Sequence, residues 1–122
     1  TGIQILSRKL GTILSSYTQA INKQEKRSGS LFQPKTKAKE LFNNTYSFNC
    51  FHYIHQNPLR ARLVKRIEDW AHSSFNEYHK NAEGICNKSL AIEILDLPVE
   101  IDLFYKQSYL VIDDSLIQNF LE

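Results

Sequence analysis

The sequence predicts an α+β chain that is mainly helical, with one edge strand or hairpin. Three observations indicate this class. Apolar residues recur every three or four positions over residues 3–21, residues 30–41 read as extended, and residues 90–97 and 101–121 form two further amphipathic stretches. A chain of 122 residues has the length of one ordinary domain.

The first helix is predicted from its apolar spacing. The residues concerned share one stripe of a helix of about six turns, and they are Ile3, Leu6, Leu10, Ile13, Leu14, Tyr17 and Ile21. A polar stretch follows and ends at Gly29, which is suited to a turn. We therefore expect this helix to pack along one face and to end before Gly29.

The extended segment carries a regular pattern of positive charge. Pro34 excludes a helix interior and restricts a strand to an edge or a bulge. Lys35, Lys37 and Lys39 alternate with smaller residues, so a strand would place their ammonium groups on one face. This predicts a basic strand surface.

A second helix is predicted from about Tyr46 to Asn57. The polar residues before it can cap its start. Pro58 disfavours a helical conformation in the residue before it, Asn57. Asn57 and Pro58 also have the form of an N-cap and first-turn proline for a short helix over residues 58–64, and another is expected at 70–78. One face of the second helix holds Tyr46, Cys50, Tyr53 and Asn57.

Charge is distributed unevenly along the chain. Residues 1–66 hold 12 Lys and Arg against 2 Glu, a net charge of +10, and residues 67–122 hold 3 Lys against 11 Asp and Glu, a net charge of −8. A basic segment of this density suits a polyanion, and the acidic remainder would avoid the same surface. The alternative is a solvated basic face without a ligand.

Tyr53 and Asn57 are the residues most suited to chemistry. They lie one helical turn apart, with Arg60 and Arg62 just beyond. A tyrosine oxygen can attack a phosphodiester, and an asparagine oxygen can bind Mg²⁺ or Mn²⁺. Tyr53 could equally be a core aromatic and Asn57 a helix cap. His52 and His55, three residues apart, are a weaker alternative metal pair.

Four ordered blocks resemble the REP-associated tyrosine transposases and their relatives among the single-tyrosine HUH-class insertion-sequence transposases. The blocks are Ser28-Gly29-Ser30-Leu31-Phe32-Gln33, Lys35-Thr36-Lys37, Tyr53-Ile54-His55-Gln56-Asn57-Pro58-Leu59-Arg60-Ala61, and Glu68-Asp69-Trp70 followed by Ser73-Ser74-Phe75 and Tyr78. The resemblance covers about residues 3–78 and implies the C-terminal part of a ferredoxin-like domain. It divides the chain into a partial transposase domain, 1–80, and an acidic helical extension, 81–122.

The resemblance also implies a function and a site. The family cleaves and rejoins single-stranded DNA beside hairpins, using Mg²⁺ or Mn²⁺ and a 5′-phosphotyrosine intermediate. Tyr53 then takes the role of nucleophile and Asn57 that of metal ligand. The DNA-binding role falls to Lys35, Lys37, Lys39, Arg60 and Arg62.

Two departures from the family pattern limit this interpretation. No His-hydrophobe-His motif occurs, so we expect the histidine pair and the first strands upstream of Thr1 and expect this fragment alone to be inactive. Pro34 with the residues after it also replaces the family's Gly-Arg-Phe-Lys. The alternatives are a catalytically inactive DNA-binding remnant and a helical protein-interaction module.

Cellular location and assembly are predicted from simpler features. The longest apolar runs are too short to span a membrane, and the cysteines, Cys50 and Cys86, form no metal or disulfide pattern. We therefore expect a cytoplasmic protein that does not bind membranes. An incomplete sheet would expose a strand edge, which predicts a homodimer.

Overall fold

The computed structural model describes residues 1–34, 36, 38–41 and 43–121, without the side chains of 119–121. All regular secondary structure in that part is helical. The helices are α1 (Gly2–Gln24), α2 (Asn44–Arg60), α3 (Phe75–His79), α4 (Lys88–Leu95), α5 (Ile101–Ser108) and α6 (Asp114–Leu121), with a 3₁₀ turn at Ile67–Asp69. The chain forms two compact units, residues 1–39 and 40–122.

The predicted α+β class is wrong. The described residues form no strand or sheet, and those between 30 and 41 have no regular structure. A strand needs a partner to satisfy its backbone groups, and the described chain offers no second extended segment. Pro34 in addition has no N–H to donate. The strand edge on which the homodimer prediction depended is therefore missing from this part of the chain.

The first unit consists of α1 and the segment that follows it. Thr1 caps the helix, because its hydroxyl accepts the Gln4 backbone N–H at 3.3 Å. After the helix, Gly29 adopts a φ of +93°, which favours glycine, and its carbonyl accepts a hydrogen bond from Asn22 at 3.0 Å. The long first helix is confirmed, but none of its residues is buried.

The second unit begins with α2, which is longer than predicted. Asn43 caps it, as its side-chain oxygen accepts the Tyr46 N–H at 2.7 Å. The helix then continues through Pro58 to Arg60, so the predicted stop at Asn57 and the separate helix over 58–64 are wrong. Pro58 lies in the last turn, where its carbonyl still accepts the Leu63 N–H at 2.9 Å.

The remaining helices differ from prediction mainly at their ends. Residues 70–78 hold only the short α3 after the 3₁₀ turn. The break near Pro98 is confirmed, but residues 101–121 form two helices, α5 and α6, instead of one. Asp113, just before the second of these, accepts the Ser115 N–H with its carboxylate at 2.8 Å, a local bond that competes with continuation of α5.

The core of the second unit brings these helices together. Ile67, Phe75, Leu97 and Phe104 are its buried members. They come from both sides of residue 80, so the acidic helices share a core with α2 and α3. The division into a partial transposase domain, 1–80, and an acidic extension, 81–122, stays a prediction that rests on the sequence resemblance. None of the helices in the described chain is long and apolar enough to cross a membrane.

Candidate nucleic-acid interface

Helix α2 positions the residues singled out from the sequence, and it divides them between two faces. His52, His55 and Gln56 are 2%, 2% and 5% exposed, respectively. Tyr53 is half-buried, and Asn57 and Arg60 are exposed. The division follows from the helical repeat, since positions 52, 55 and 56 lie on one side and 53, 57 and 60 on another.

The inward face holds α2 against the other helices by polar contacts. The His55 Nε2 atom lies 2.8 Å from the Ser74 hydroxyl. The Gln56 side-chain NH₂ donates to the Ser108 carbonyl at 2.8 Å and to the Leu110 carbonyl at 2.9 Å. Because these carbonyls lie at the end of α5, Gln56 closes the C-terminus of that helix and joins it to α2.

The two buried imidazoles are surrounded by aromatic rings. His52 packs against Phe48 at 4.5 Å between ring centroids, and His55 packs against Phe51 at the same distance. Neither nitrogen of His52 has a hydrogen-bond partner among the described residues. Burial lowers the pKa of His52 from 6.5 to about 4. Burial, and repulsion from His52 when that imidazole is protonated, lower the pKa of His55 to about 4 as well. Both therefore stay neutral at physiological pH.

The outward face carries a phenol, a carboxamide and a guanidinium in successive turns. The Arg60 guanidinium carbon lies 6.0 Å from the centroid of the Tyr53 ring, at the limit of a cation–π contact. Arg60 also lies 3.8 Å from the exposed carboxylate of Asp114, an ion pair weakened by solvent. Tyr53 is not a member of the buried core. The structure thus places Tyr53 and Arg60 together, because α2 continues through Pro58.

Asn57 is not a helix cap. Its backbone carbonyl accepts the Ala61 N–H at 2.9 Å within a continuous helix, so the N-cap interpretation is wrong. The side-chain amide is exposed and makes no hydrogen bond to another described residue. Its oxygen is therefore accessible to a ligand from outside the chain.

A short basic segment follows α2. Arg62 has a φ of +59°, a left-handed conformation, and lies in the turn that ends the helix. Arg62 and Lys65 are exposed, and neither forms an ion pair within the described part of the chain. Arg66, in contrast, is held by the Asp69 carboxylate at 3.0 Å. Arg62 and Lys65 are thus the cations of this segment that can meet a phosphate without first breaking an ion pair.

The predicted lysine surface is only partly described. Lys35 and Lys37 lie outside the described residues. Lys39 is exposed, lies in irregular chain instead of a strand, and belongs to the first compact unit. Arg60, beside Tyr53, and Arg62, in the turn after α2, are the predicted DNA-binding residues of the second unit whose surroundings the structure describes.

The predicted metal site is incomplete in the described residues. No three His, Cys, Asp or Glu side chains come together there. His52 and His55 cannot join Asn57, because they lie on the buried side of α2 and Asn57 lies on the exposed side. The described residues therefore do not by themselves fit a catalytic Mg²⁺ or Mn²⁺, and any metal would need ligands from elsewhere.

Glu68 is a polar residue of structural importance for which the sequence analysis predicted no role, although it lies in one of the blocks that resemble the transposase family. Its carboxylate accepts hydrogen bonds from the Tyr105 hydroxyl at 3.0 Å and from the Tyr109 hydroxyl at 2.8 Å. The Tyr109 oxygen also accepts the Ile67 N–H at 2.9 Å. Burial raises the pKa of Glu68, but the hydrogen bonds it accepts outweigh burial and keep this pKa below its usual value. The spacing of Tyr105 and Tyr109 is a signal for a shared helix face, but it does not reveal their acceptor.

Comparison of the chain with known protein families, with curated proteins and with solved structures yields no match.

Proposed function

We propose that this chain is a DNA-binding part of a single-tyrosine DNA strand transferase, with Tyr53 as the nucleophile. The observation that carries the proposal is the division of α2. The polar residues that serve the fold, His52, His55 and Gln56, face inward, whereas Tyr53 and Asn57 lie on the accessible side. The four sequence blocks that resemble the transposase family give this face its proposed role.

In the proposed reaction, the Tyr53 oxygen attacks the phosphorus of a single-stranded DNA phosphodiester. A bond forms from the tyrosine oxygen to phosphorus, and the bond from phosphorus to the 3′ oxygen breaks. The phenol proton leaves to solvent or a base, and the departing 3′ oxygen takes up a proton. The products are a 5′-phosphotyrosine and a free 3′-hydroxyl, and the reverse attack by another 3′-hydroxyl rejoins the strands.

The basic residues at and after the end of α2 would supply charge for this reaction. The Arg60 guanidinium carbon lies 6.0 Å from the centroid of the Tyr53 ring, and Arg62 and Lys65 follow in the chain after the helix. A guanidinium can bind two phosphate oxygens at once, which would hold the scissile strand and offset charge that develops on the phosphate. Asn57 is the proposed metal ligand of the complete site, which also requires the histidine pair expected upstream.

A trapping experiment tests the nucleophile. The complete gene product is incubated with Mn²⁺ and a hairpin-flanked single strand labelled at its 3′ end. We expect a covalent adduct that is lost in Tyr53→Phe and retained in the control Tyr17→Phe, whose exposed ring lies in the first unit. An adduct of undiminished yield in Tyr53→Phe would refute the assignment. Binding without any adduct in the complete product would instead identify an inactive DNA-binding remnant.

A salt titration tests the basic surface in this chain alone. Phosphate contacts make the affinity for single-stranded DNA fall steeply with salt, and each contact adds about 0.7 to the slope of log affinity against log salt. We expect Arg62→Gln to remove one phosphate contact and so to lower that slope by about 0.7. Lys80→Gln is the matched control, because Lys80 is an exposed cation in the acidic half of the chain. Equal slopes for the two variants would contradict the proposed interface.

A further inference from the structure

A cavity of about 300 Å³ opens in the second unit, away from the Tyr53 face of α2, among residues of α3, α4 and α5. Its floor is apolar and includes Ile92, Leu97 and Phe104. Two of its lining residues are themselves largely exposed, with Val99 at 84% and Ile101 at 48%. A cavity of this size can accept one large apolar side chain.

A chain segment that contributes to the lining of this cavity also carries carboxylates. The segment from Asp96 to Asp102 places Leu97, Val99 and Ile101 in the lining, and Asp96, Glu100 and Asp102 between or beside them. All three carboxylate residues are exposed, and none forms an ion pair with another described residue. The chain segment that contributes to the lining therefore carries three exposed negative charges, none of them in an ion pair with another described residue.

The single cation that lines the cavity is already engaged. Lys88 donates a hydrogen bond to the Asn81 side chain. Glu77, which also lines the cavity, accepts the Cys86 backbone N–H at 3.0 Å. Lys88 and Glu77 therefore already have hydrogen-bond partners within the chain, and the apolar lining and the exposed carboxylates of residues 96–102 are the features left for a partner.

We propose that this cavity, with the exposed carboxylates of residues 96–102, is a docking site for a basic protein segment that inserts one large apolar side chain. The apolar side chain would fill the space over Leu97 and Phe104, and neighbouring Lys or Arg residues would pair with Asp96, Glu100 and Asp102. This site lies outside the proposed DNA interface and does not depend on it.

Charge decides between a basic protein and the other large partners. Residues 67–122 carry a net charge of −8, which repels DNA and anionic lipid surfaces and raises the local concentration of cationic segments. An acidic protein segment would meet the same repulsion. A basic amphipathic segment is the occupant for which both the field and the apolar floor are favourable.

Binding to a defined probe tests the proposal in the full chain. The probe is a fluorescein-labelled peptide of alternating lysine and leucine, followed by anisotropy at low salt. We expect saturable binding that weakens as salt is raised, and an affinity about tenfold lower for Val99→Lys, which places a positive charge at the cavity mouth. The same probe with glutamate in place of lysine is expected not to bind.

A matched variant separates this site from general charge attraction. Val111→Lys adds the same charge at a valine that is 92% exposed and does not line the cavity, so it is expected to bind the probe nearly as the parent chain does. Thermal unfolding of both variants checks that each is folded. A second pair of changes, Glu100→Gln with Asp102→Asn, is expected to reduce both affinity and salt dependence.

Three results would overturn the proposal. Equal losses in Val99→Lys and Val111→Lys would indicate non-specific attraction to the acidic surface. Equal binding of the glutamate peptide would remove the argument from charge. If the chain itself dimerises and Val99→Lys makes it monomeric, the occupant is a second copy and not a separate basic protein.

Discussion

Gln56 and Asn57 are adjacent residues of α2 with the same functional group, and the helical repeat gives them opposite roles. The Gln56 amide is buried and donates to two carbonyls at the end of α5, whereas the Asn57 amide is exposed. When a buried amide is removed, the carbonyls that it bonded are left without a donor. When an exposed amide is removed, water can take its place. Gln56 thus contributes to stability, whereas the neighbouring Asn57 is available to a ligand.

This assignment predicts different effects of alanine at the two positions. Gln56→Ala leaves the Ser108 carbonyl unpaired in the core, so we expect the free energy of unfolding to fall by about 2 kcal/mol in urea denaturation. Asn57→Ala is the control, and we expect a change within about 0.5 kcal/mol, because an exposed helical position tolerates alanine. Equal losses in the two variants would contradict the two-faced arrangement of α2.

At the scale of elements, Glu68 connects the 3₁₀ turn to α5. Its carboxylate accepts from Tyr105 and Tyr109, and the Tyr109 oxygen accepts from the Ile67 backbone. Because Tyr105 and Tyr109 follow one another by one helical turn, a single carboxylate can receive both hydroxyls. The network fixes the end of α5 against the turn that follows the basic segment.

Removal of one hydroxyl tests this network. Tyr109→Phe leaves the Ile67 N–H without an acceptor and the Glu68 carboxylate with one donor fewer, so we expect a loss of about 2 kcal/mol in the free energy of unfolding. Tyr17→Phe removes an exposed hydroxyl and should have little effect. If Tyr109→Phe unfolds at the same denaturant concentration as the parent chain, the hydroxyl bridge does not contribute to stability.

Helix boundaries show how far the sequence alone determines this fold. Local signals predicted the start of α2 near Tyr46, close to its observed start at Asn44, and the break at Pro98, because capping oxygens and proline act on their immediate neighbours. The path of the helix through Pro58 was not predictable in this way, since contacts such as that of Gln56 with Ser108 join residues far apart in sequence. The expected strand failed for a related reason, because pairing depends on a partner that the described chain does not provide.

The candidate site was predictable to a similar degree. Helical spacing placed Tyr53 and Asn57 on one face, and it could have assigned His52, His55 and Gln56 to a different face together with Phe48 and Phe51. The proximity of Arg60 to Tyr53 was not predicted, because it depends on the continuation of α2 through Pro58. The spacing could not show that both imidazoles lack charged partners, because that depends on packing against α3 and α5. The roles given to Tyr53 and Asn57 stay predictions that rest on sequence resemblance.

For the whole molecule, the two buried imidazoles make stability depend on pH. Each has a folded pKa of about 4, whereas an exposed histidine in the unfolded chain titrates near 6.5. Between these values the unfolded chain binds more protons than the folded one, so acidification favours unfolding. The contribution of the two neutral imidazoles to the free energy of unfolding is fully present above about pH 6.5. It decreases as the pH falls toward 4.

We therefore expect the free energy of unfolding to fall by about 3 kcal/mol between pH 7 and pH 5, measured by urea denaturation at constant ionic strength. His52→Leu should remove about half of this decrease, since leucine fills a similar volume and cannot be protonated. His72→Leu is the matched control, because His72 is exposed, and it should retain the full decrease. A parent chain that is equally stable at the two pH values would show that the core does not hold its imidazoles in the neutral form.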